Sequence, residues 1–437
     1  MDAQTILELK PALTGYLKTF KGCMGRVTNQ GHLETYVRGQ LSDLERKSVE
    51  PIADAAGVSP RTLQEFLSML HWDEEAVRDR LQQRVAQQHA HPHSVGVIDE
   101  TSFAKKGKKT ACVQKQYCGC QGKLENCVVS VHLGYAAEDF QTLLDGDVFL
   151  PKDTWHADRK RCQEAGIPDE MVYRPKWQIA LEQLRRALAN GVRFSWLTFD
   201  EFYGETPQFL RELEALGQNF VAEIPKSFYG WTQPPEILHR RHARDGEPPQ
   251  GRRRKPKLKV KNAKVGQVCN VLKHSPLLGK VPGEKFRVKE TTQGPLIVEA
   301  KRMPFWIKDA QGLPSRAYQL IVVRPVLHPH EVKFFLTNAP ESAPLEVLLL
   351  VAYSRWRIER LFEDTKGELG MDHFEVRKYR SIGRHLILTC VSHLFLAEFR
   401  LKHGEKKSRP HRLPVADRHP DARAALAPRR PVLAPAG

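Results

Sequence analysis

Between residues 94 and 225 the chain alternates β-branched runs with amphipathic helical repeats, and two of its apolar runs close on an aspartate. SVGVIDE (94–100), TACVQKQYCG (110–119) and NCVVSVHLGYA (126–136) are strand-like, with Gly107 and Gly122 in the connections, the pattern of an antiparallel meander. Residues 137–175 show no regular period. WQIALEQLRRALAN (177–190) sets Ile179, Leu181, Leu184 and Leu188 on or near one helical face, with Gly191 as its stop. VRFSWLTFD (192–200) reads as a buried strand ending on Asp200, followed by a helix near 207–216 and the strand NFVAEIP (219–225). The order is three strands, helix, strand, helix, strand, which is an α/β arrangement. Asp99 and Asp200 then stand at the ends of the first and fourth strands. A carboxylate there either marks where the chain regains solvent or occupies the place that catalytic acids take in α/β sheets. Glu100 and Glu201 follow directly and point to the opposite face, so the aspartates are the better candidates.

A third acid lies in YSRWRIERLFEDTKGELGMDHFEVR (353–377). Read as a helix continuing from Leu345, this stretch places Arg355, Glu359, Phe362 and Lys366 in one stripe beside an apolar face of Ile358, Leu361 and Leu369. Alone it is an ion-paired amphipathic segment, worth a few tenths of a kcal/mol. Together with Asp99 and Asp200, Glu359 completes a set of hard oxygen donors of the kind that holds Mg2+. Two such ions activate a water or a 3′-hydroxyl for phosphodiester displacement.

The remainder of the chain is less specific. Residues 1–90 read as helical, and IADAAGVSPRTLQEFLSML (52–70) has the Gly turn, Ser-Pro start and apolar spacing of a helix-turn-helix. Its second helix turns Arg61, Thr62, Gln64 and Glu65 outward; a plain helical hairpin has the same pattern. From 226 to 345 the chain is β-rich, with strand-like runs such as QVCNVL (267–272), PLIVEAKRM (295–303) and YQLIVVRPVL (318–327). That segment contains the basic run 252–264, led by Arg252, Arg253, Arg254 and Lys255, which is either a solvated loop or a contact for a phosphate backbone. SIGRHLILTCVSHLFLAEFRLKH (381–403) is a further apolar helix, and the tail 404–437 has the composition of a disordered segment. With 68 Lys and Arg against 51 Asp and Glu, the formal charge is +17, which favours a polyanionic partner, nucleic acid ahead of a membrane surface. No run approaches the roughly 18 apolar residues of a membrane span, and the first residues lack a signal-peptide layout. Cys112, Cys118, Cys120 and Cys127 cluster, but without paired C-x2-C knuckles they read as free thiols rather than a zinc site.

Four blocks carry a resemblance: VIDETSFAKKGKKTACVQKQYCGCQGKLENC, FLPKDTWHADRKRCQEAGIP, FDEFYGETPQFLRELEALGQNFVAEIP and SRWRIERLFEDTKGELGMDHFEVRKYRSIGRHL. Together, over residues 36–401, the chain resembles insertion-sequence DDE transposases of the IS701 family, within the IS4-like group of RNase H-fold transposases. The resemblance implies an α/β fold with an RNase H-like catalytic core (91–225 and 346–403) interrupted by a β-rich basic insertion (226–345). An N-terminal helical, HTH-like DNA-binding domain (1–90) would precede it, and a disordered basic, proline-rich tail (404–437) would follow. It implies metal-dependent cleavage of DNA at insertion-sequence ends and transfer of the freed strands into target DNA. Two Mg2+ ions, with Mn2+ as a substitute, would be held by Asp99, Asp200 and Glu359. Arg355 and Lys366 match the family's Y-x2-R-x3-E-x6-K signature as phosphate contacts. Tyr353 stands one residue closer than the signature places its tyrosine, and Glu363 is the alternative acid if the helical register differs. In some relatives a tryptophan of the insertion handles a flipped base; Trp231 and Trp306 are the candidates here, or are simply core. The expected partners are DNA, both terminal inverted repeats and target, and a second copy in a homodimer, with no membrane; the expected location is the cytoplasm, on the nucleoid. The alternatives are a catalytically decayed or repurposed DNA-binding descendant and a stand-alone nuclease of the same fold.

Overall fold

The computed structural model describes residues 3–238, 256–260, 265–291 and 294–403. The basic residues Arg252, Arg253, Arg254 and Lys255 and the tail 404–437 lie outside the described residues. In chain order, helices α1 (Ala3–Lys18), α2 (Val27–Leu41), α3 (Val49–Ala55), α4 (Pro60–Ser68) and α5 (Glu74–Gln88) come first. Strands β1 (Val95–Ala104), β2 (Gln114–Cys118), β3 (Lys123–Ala137) and β4 (Phe140–Val148) follow. Helices α6 (Arg159–Glu164) and α7 (Lys176–Ala189) lead to β5 (Trp196–Phe199), α8 (Glu201–Gly204), α9 (Pro207–Ala215) and β6 (Phe220–Ile224). Next are the two-residue strands β7 (Tyr229–Gly230), β8 (Ile237–Leu238), β9 (Lys257–Leu258) and β10 (Gly266–Gln267), then α10 (Val268–His274) and α11 (Pro276–Lys280). The series closes with β11 (Glu284–Thr291), β12 (Gly294–Phe305), β13 (Tyr318–Pro325), β14 (Lys333–Thr337), α12 (Leu345–Tyr353), α13 (Trp356–Leu369) and α14 (Tyr379–His403).

The chain divides into two compact units, one of residues 3–197 with 354–403 and one of residues 198–353. In the first, the long strand β3 pairs antiparallel with β1 along one edge and with β2 and β4 along the other. The β3–β4 hairpin turns in two residues, Glu138 and Asp139, with Glu138 at φ +49°, as a tight hairpin requires. Helix α14 packs on β4 amid α1, α2, α4, α5 and α13. By length and composition α14 is long and apolar enough to cross a membrane, contrary to the expectation from the sequence, but 78% of that stretch is buried inside the protein. It is a core helix.

In the second unit β6, β14, β13, β12 and β11 form a continuous antiparallel series. β13 is buried along most of its length. This unit gathers β6 with the segment 226–345.

Several elements differ from the sequence expectation. β1 does not end at Asp99: it continues to Ala104, because Thr101, Ser102 and Phe103 keep pairing with Ser130, Val129 and Val128. β4 was not legible, since its inward positions include Asp145. QVCNVL is largely helix, with Val268 and Val271, one turn apart, as its buried positions. Residues 345–377 are not one helix: α12 stops at Tyr353, α13 starts at Trp356, and Gly370 at φ +66° closes α13.

Candidate active site

Asp99 lies in the middle of β1, on the face that looks toward α13. The register pairs Val97 with Gly134 and Asp99 with His132, and residues paired in this way share a face. Gly134 is what lets α13 come down on the sheet. A Cβ there would stand 2.8 Å from Leu361 Cδ1 and from Val97 Cγ2, and 3.2 Å from Ile358 Cδ1. Ile358, Leu361 and Phe362 bury the underside of α13, which leaves the N-terminal end of the helix beside Asp99.

Arg355, at the start of α13, connects two of the acids. Its Nη1 donates to Asp99 Oδ2 at 3.5 Å and its Nη2 to Glu359 Oε1 at 2.7 Å. The Asp99 side chain is 16% exposed and that of Glu359 55%, so one carboxylate is fixed in the fold while the other reaches solvent. Glu100 points the other way, where Lys176 of α7 donates to it at 2.5 Å. Glu363 is exposed and takes a hydrogen bond from Arg360 at 3.3 Å, so it stands apart from the Asp99–Arg355–Glu359 group.

Lys366 lies two turns beyond Glu359 on α13 and donates to the Ser102 carbonyl at 3.3 Å, with its ammonium over the Phe103 ring. Burial lowers its pKa, while nearby Cys120 and Asp372 pull it back up. Asp200 belongs to the second unit. It caps α8, its Oδ1 accepting from the Phe202 and Tyr203 amides at 3.1 and 3.4 Å. Tyr353 ends α12 with its ring against Phe335, and its buried hydroxyl has no hydrogen-bond partner among the described residues. Trp231 and Trp306 face each other as an antiparallel bridge, exchanging backbone hydrogen bonds of 2.8 and 2.9 Å. Trp231 is buried. Near Trp231 and Trp306 is a cavity of about 470 Å³ lined by Phe228, Tyr229, Ile307 and Lys308 among others.

A buried polar layer that no sequence motif announced supports the strands. Arg78 of α5 donates to Asp145 at 2.5 Å and Asp147 at 3.0 Å, Arg186 of α7 reaches Asp145 at 3.0 Å, and Gln183 reaches Asp147 at 3.0 Å. Burial alone would raise the pKa of Asp147, but Arg78 and Arg186 hold it at about 2. His132 is buried beside this layer. Its Nδ1 lies 3.1 Å from the Asp145 carbonyl, which can only accept, so Nδ1 carries the proton and Nε2 accepts from Ser130 Oγ at 2.6 Å. The ring also meets Phe362 of α13 edge-on. Long-range pairs of this kind are invisible to sequence spacing; the one local signal was the pair of aspartates in TLLDGDV.

Asp99 and Glu359 offer hard oxygen donors of the type that Mg2+ prefers. Among the described residues, no group of three or more His, Cys, Asp or Glu side chains is close enough to hold a metal ion.

Comparison with known proteins adds to this geometry. A family model described as "DDE superfamily endonuclease" matches residues 19–274, and one described as "Transposase DDE domain" matches residues 175–395. The chain is also similar to a protein of Microchaete diplosiphon named as a probable transposase for insertion sequence element IS701. The two are 25% identical over 352 residues, 79% of this chain and 76% of the relative.

Proposed function

The chain belongs to the DDE superfamily of endonucleases and transposases, and on that premise we propose that it cuts DNA at the ends of an insertion sequence and joins the freed 3′ ends to target DNA. The observation that carries the reading is the two-pronged contact of Arg355 with Asp99 and Glu359. It ties the β1 carboxylate to the helix carrying the next acid, and does so at a position where Glu359 remains open to substrate. We assign the catalytic carboxylates as Asp99, Asp200 and Glu359.

Divalent cations, Mg2+ or Mn2+ in its place, would be held by these three acids and would supply activation of the attacking hydroxyl and stabilisation of the leaving oxygen. The chain's own residues orient the reaction. Arg355 holds Asp99 and Glu359 in register and presents positive charge to a phosphate. Lys366 offers a second cation on the same helix, positioned by the Ser102 carbonyl. The +17 charge of the chain supports a polyanionic substrate. The N-terminal helices, where exposed Arg61 opens α4 beyond the Gly57 turn, and the β-rich segment with its basic run are proposed to grip the terminal inverted repeats. Two ends must be handled together, so the working form is proposed to be a homodimer, acting in the cytoplasm on the nucleoid.

The test is cleavage of labelled end DNA with Mg2+, comparing the wild type with Asp99→Asn, Asp200→Asn and Glu359→Gln. Loss of cleavage with retained DNA binding is expected for each variant, and unchanged cleavage by all three would sink the assignment. Wild-type protein that binds ends without cutting them would indicate a DNA-binding descendant instead.

A further inference from the structure

Four of the eight cysteines fall between residues 112 and 127, and three of them, Cys118, Cys120 and Cys127, lie together. Cys118 ends β2, Cys120 sits in the turn that follows, and their sulfurs are 3.3 Å apart. Cys118 is buried and Cys120 is exposed. The turn is held by local hydrogen bonds: the Gln121 amide donates to the Cys118 carbonyl at 2.9 Å, and the Cys120 amide to Ser102 Oγ at 3.3 Å. Gly119 between them has open space around it, its nearest neighbour to a hypothetical Cβ being Ser102 Oγ at 3.8 Å. Such a turn can close a bond between the two sulfurs without moving a strand.

We propose that Cys118 and Cys120 form an oxidisable dithiol, which a hydroperoxide converts to an intramolecular disulfide. The proposal holds whether or not the chain cuts DNA. In the first step the exposed Cys120 sulfur attacks a peroxide oxygen and the O–O bond breaks. Cys120 becomes a sulfenic acid and the peroxide's other half leaves as water or an alcohol. In the second, the Cys118 thiolate attacks the Cys120 sulfur and displaces hydroxide, which leaves as water with the proton Cys118 gave up. Two thiols are oxidised, one peroxide is reduced, and two molecules leave.

The surroundings favour this pair over the other thiols. Burial would raise the Cys118 pKa, but hydrogen bonds from Ser102, Cys120 and Cys127 outweigh it, and the thiol is lowered. The Lys366 ammonium lies near enough to Cys118 to interact with it, and a nearby cation favours the thiolate. Cys127, by contrast, is pushed up to about 12 by burial and by Cys118, which makes it a proton-bearing donor rather than the attacking partner. Cys112 is buried and its thiol is also raised by burial.

Trypsin cutting after Lys115 and Lys123 isolates both sulfurs, and no other cysteine, in one peptide, residues 116–123. Full-length reduced protein would be exposed to hydrogen peroxide, blocked with iodoacetamide, digested and weighed. The expected result is a peptide lighter by two hydrogens, without alkylation and restored by dithiothreitol, in the wild type and in Cys127→Ser. Cys120→Ser should abolish it, with circular dichroism establishing that the variant is folded. Three outcomes would overturn the proposal: both cysteines alkylated after peroxide, Cys120 driven to sulfinic acid with Cys118 still alkylated, or a disulfide joining Cys118 to Cys127.

Discussion

His132 stands directly across the β1–β3 pairing from Asp99, so a buried neutral imidazole shares the face of the candidate carboxylate. Burial lowers its pKa to about 3, and it lowers those of His393 and His385 to about 3 and about 4. Unfolded, the same rings take up protons from about pH 6.5 downward. The unfolded chain therefore binds more protons between about pH 6.5 and the folded values, and stability falls as pH drops through that window. At pH 5 each ring lowers stability by on the order of 2 kcal/mol relative to pH 7. Urea midpoints followed by circular dichroism from pH 7.5 to 5 should decline steeply, and a flat profile contradicts the buried neutral rings.

Removing Arg355 should separate catalysis from stability. Glu359 is half-exposed and the contact with Asp99 is long, at 3.5 Å, so the two ion pairs together contribute on the order of 1 kcal/mol to folding. A pre-organised cation beside reacting phosphate is worth on the order of 10²-fold in rate. Arg355→Ala is expected to lower end cleavage by about that factor with little change in melting temperature. Arg355→Lys should fall between, because a lysine cannot make both contacts in the same planar geometry. Parallel cleavage rates and thermal melts check this; wild-type cleavage by Arg355→Ala would remove Arg355 from the site.

The buried layer should behave in the opposite way. Arg78 is 5% exposed and Asp145 fully buried. Arg78→Met leaves Asp145 short of a partner, which costs about 3–5 kcal/mol when a buried pair is broken from one side. Urea denaturation at pH 7 measures it. A loss below about 1 kcal/mol, the size of a surface pair, would show that Arg186 alone satisfies the carboxylate.

Gly134→Ala tests the seating of α13. The added methyl meets Leu361 and Val97 at 2.8 Å, and overpacking of this kind costs about 1–3 kcal/mol. Because α13 carries Arg355 and Glu359, end cleavage should fall further than stability alone explains. Gly383→Ala in α14, where nothing beyond the neighbouring residues and the helix's own backbone lies within 4 Å of the new methyl, should instead gain about 0.5–1 kcal/mol. Thermal melts of both variants, with cleavage for the first, decide it.

Much of the secondary structure was legible from its apolar residues: α7 has a one-faced helical spacing, while β3 and α14 are buried over long consecutive runs. The face of β1 was legible too, since alternation alone separates Asp99 from Glu100. What escaped was set by distant partners. β4 buries Asp145 because Arg78 and Arg186 neutralise it from two helices, and no local pattern encodes that. The break between α12 and α13 was equally hidden, since the sequence through Ser354 contains neither glycine nor proline. The proposed roles of Asp99, Asp200 and Glu359 came from their places in the strand and helix pattern and from a resemblance between blocks, and the geometry adds the Arg355 link between the first and the third.

The alternation along β1 also makes the gene unevenly tolerant of length changes. An added or lost codon among the exposed residues 106–109 falls in a connection between strands, short of the buried Thr110, Ala111, Cys112 and Val113. The same change between Val95 and Asp99, with the rest of the pairing kept, would turn Asp99 toward Lys176 and bring Glu100 beneath α13. Copies that drift by single-codon insertions should therefore differ in that loop and keep constant spacing within the strand.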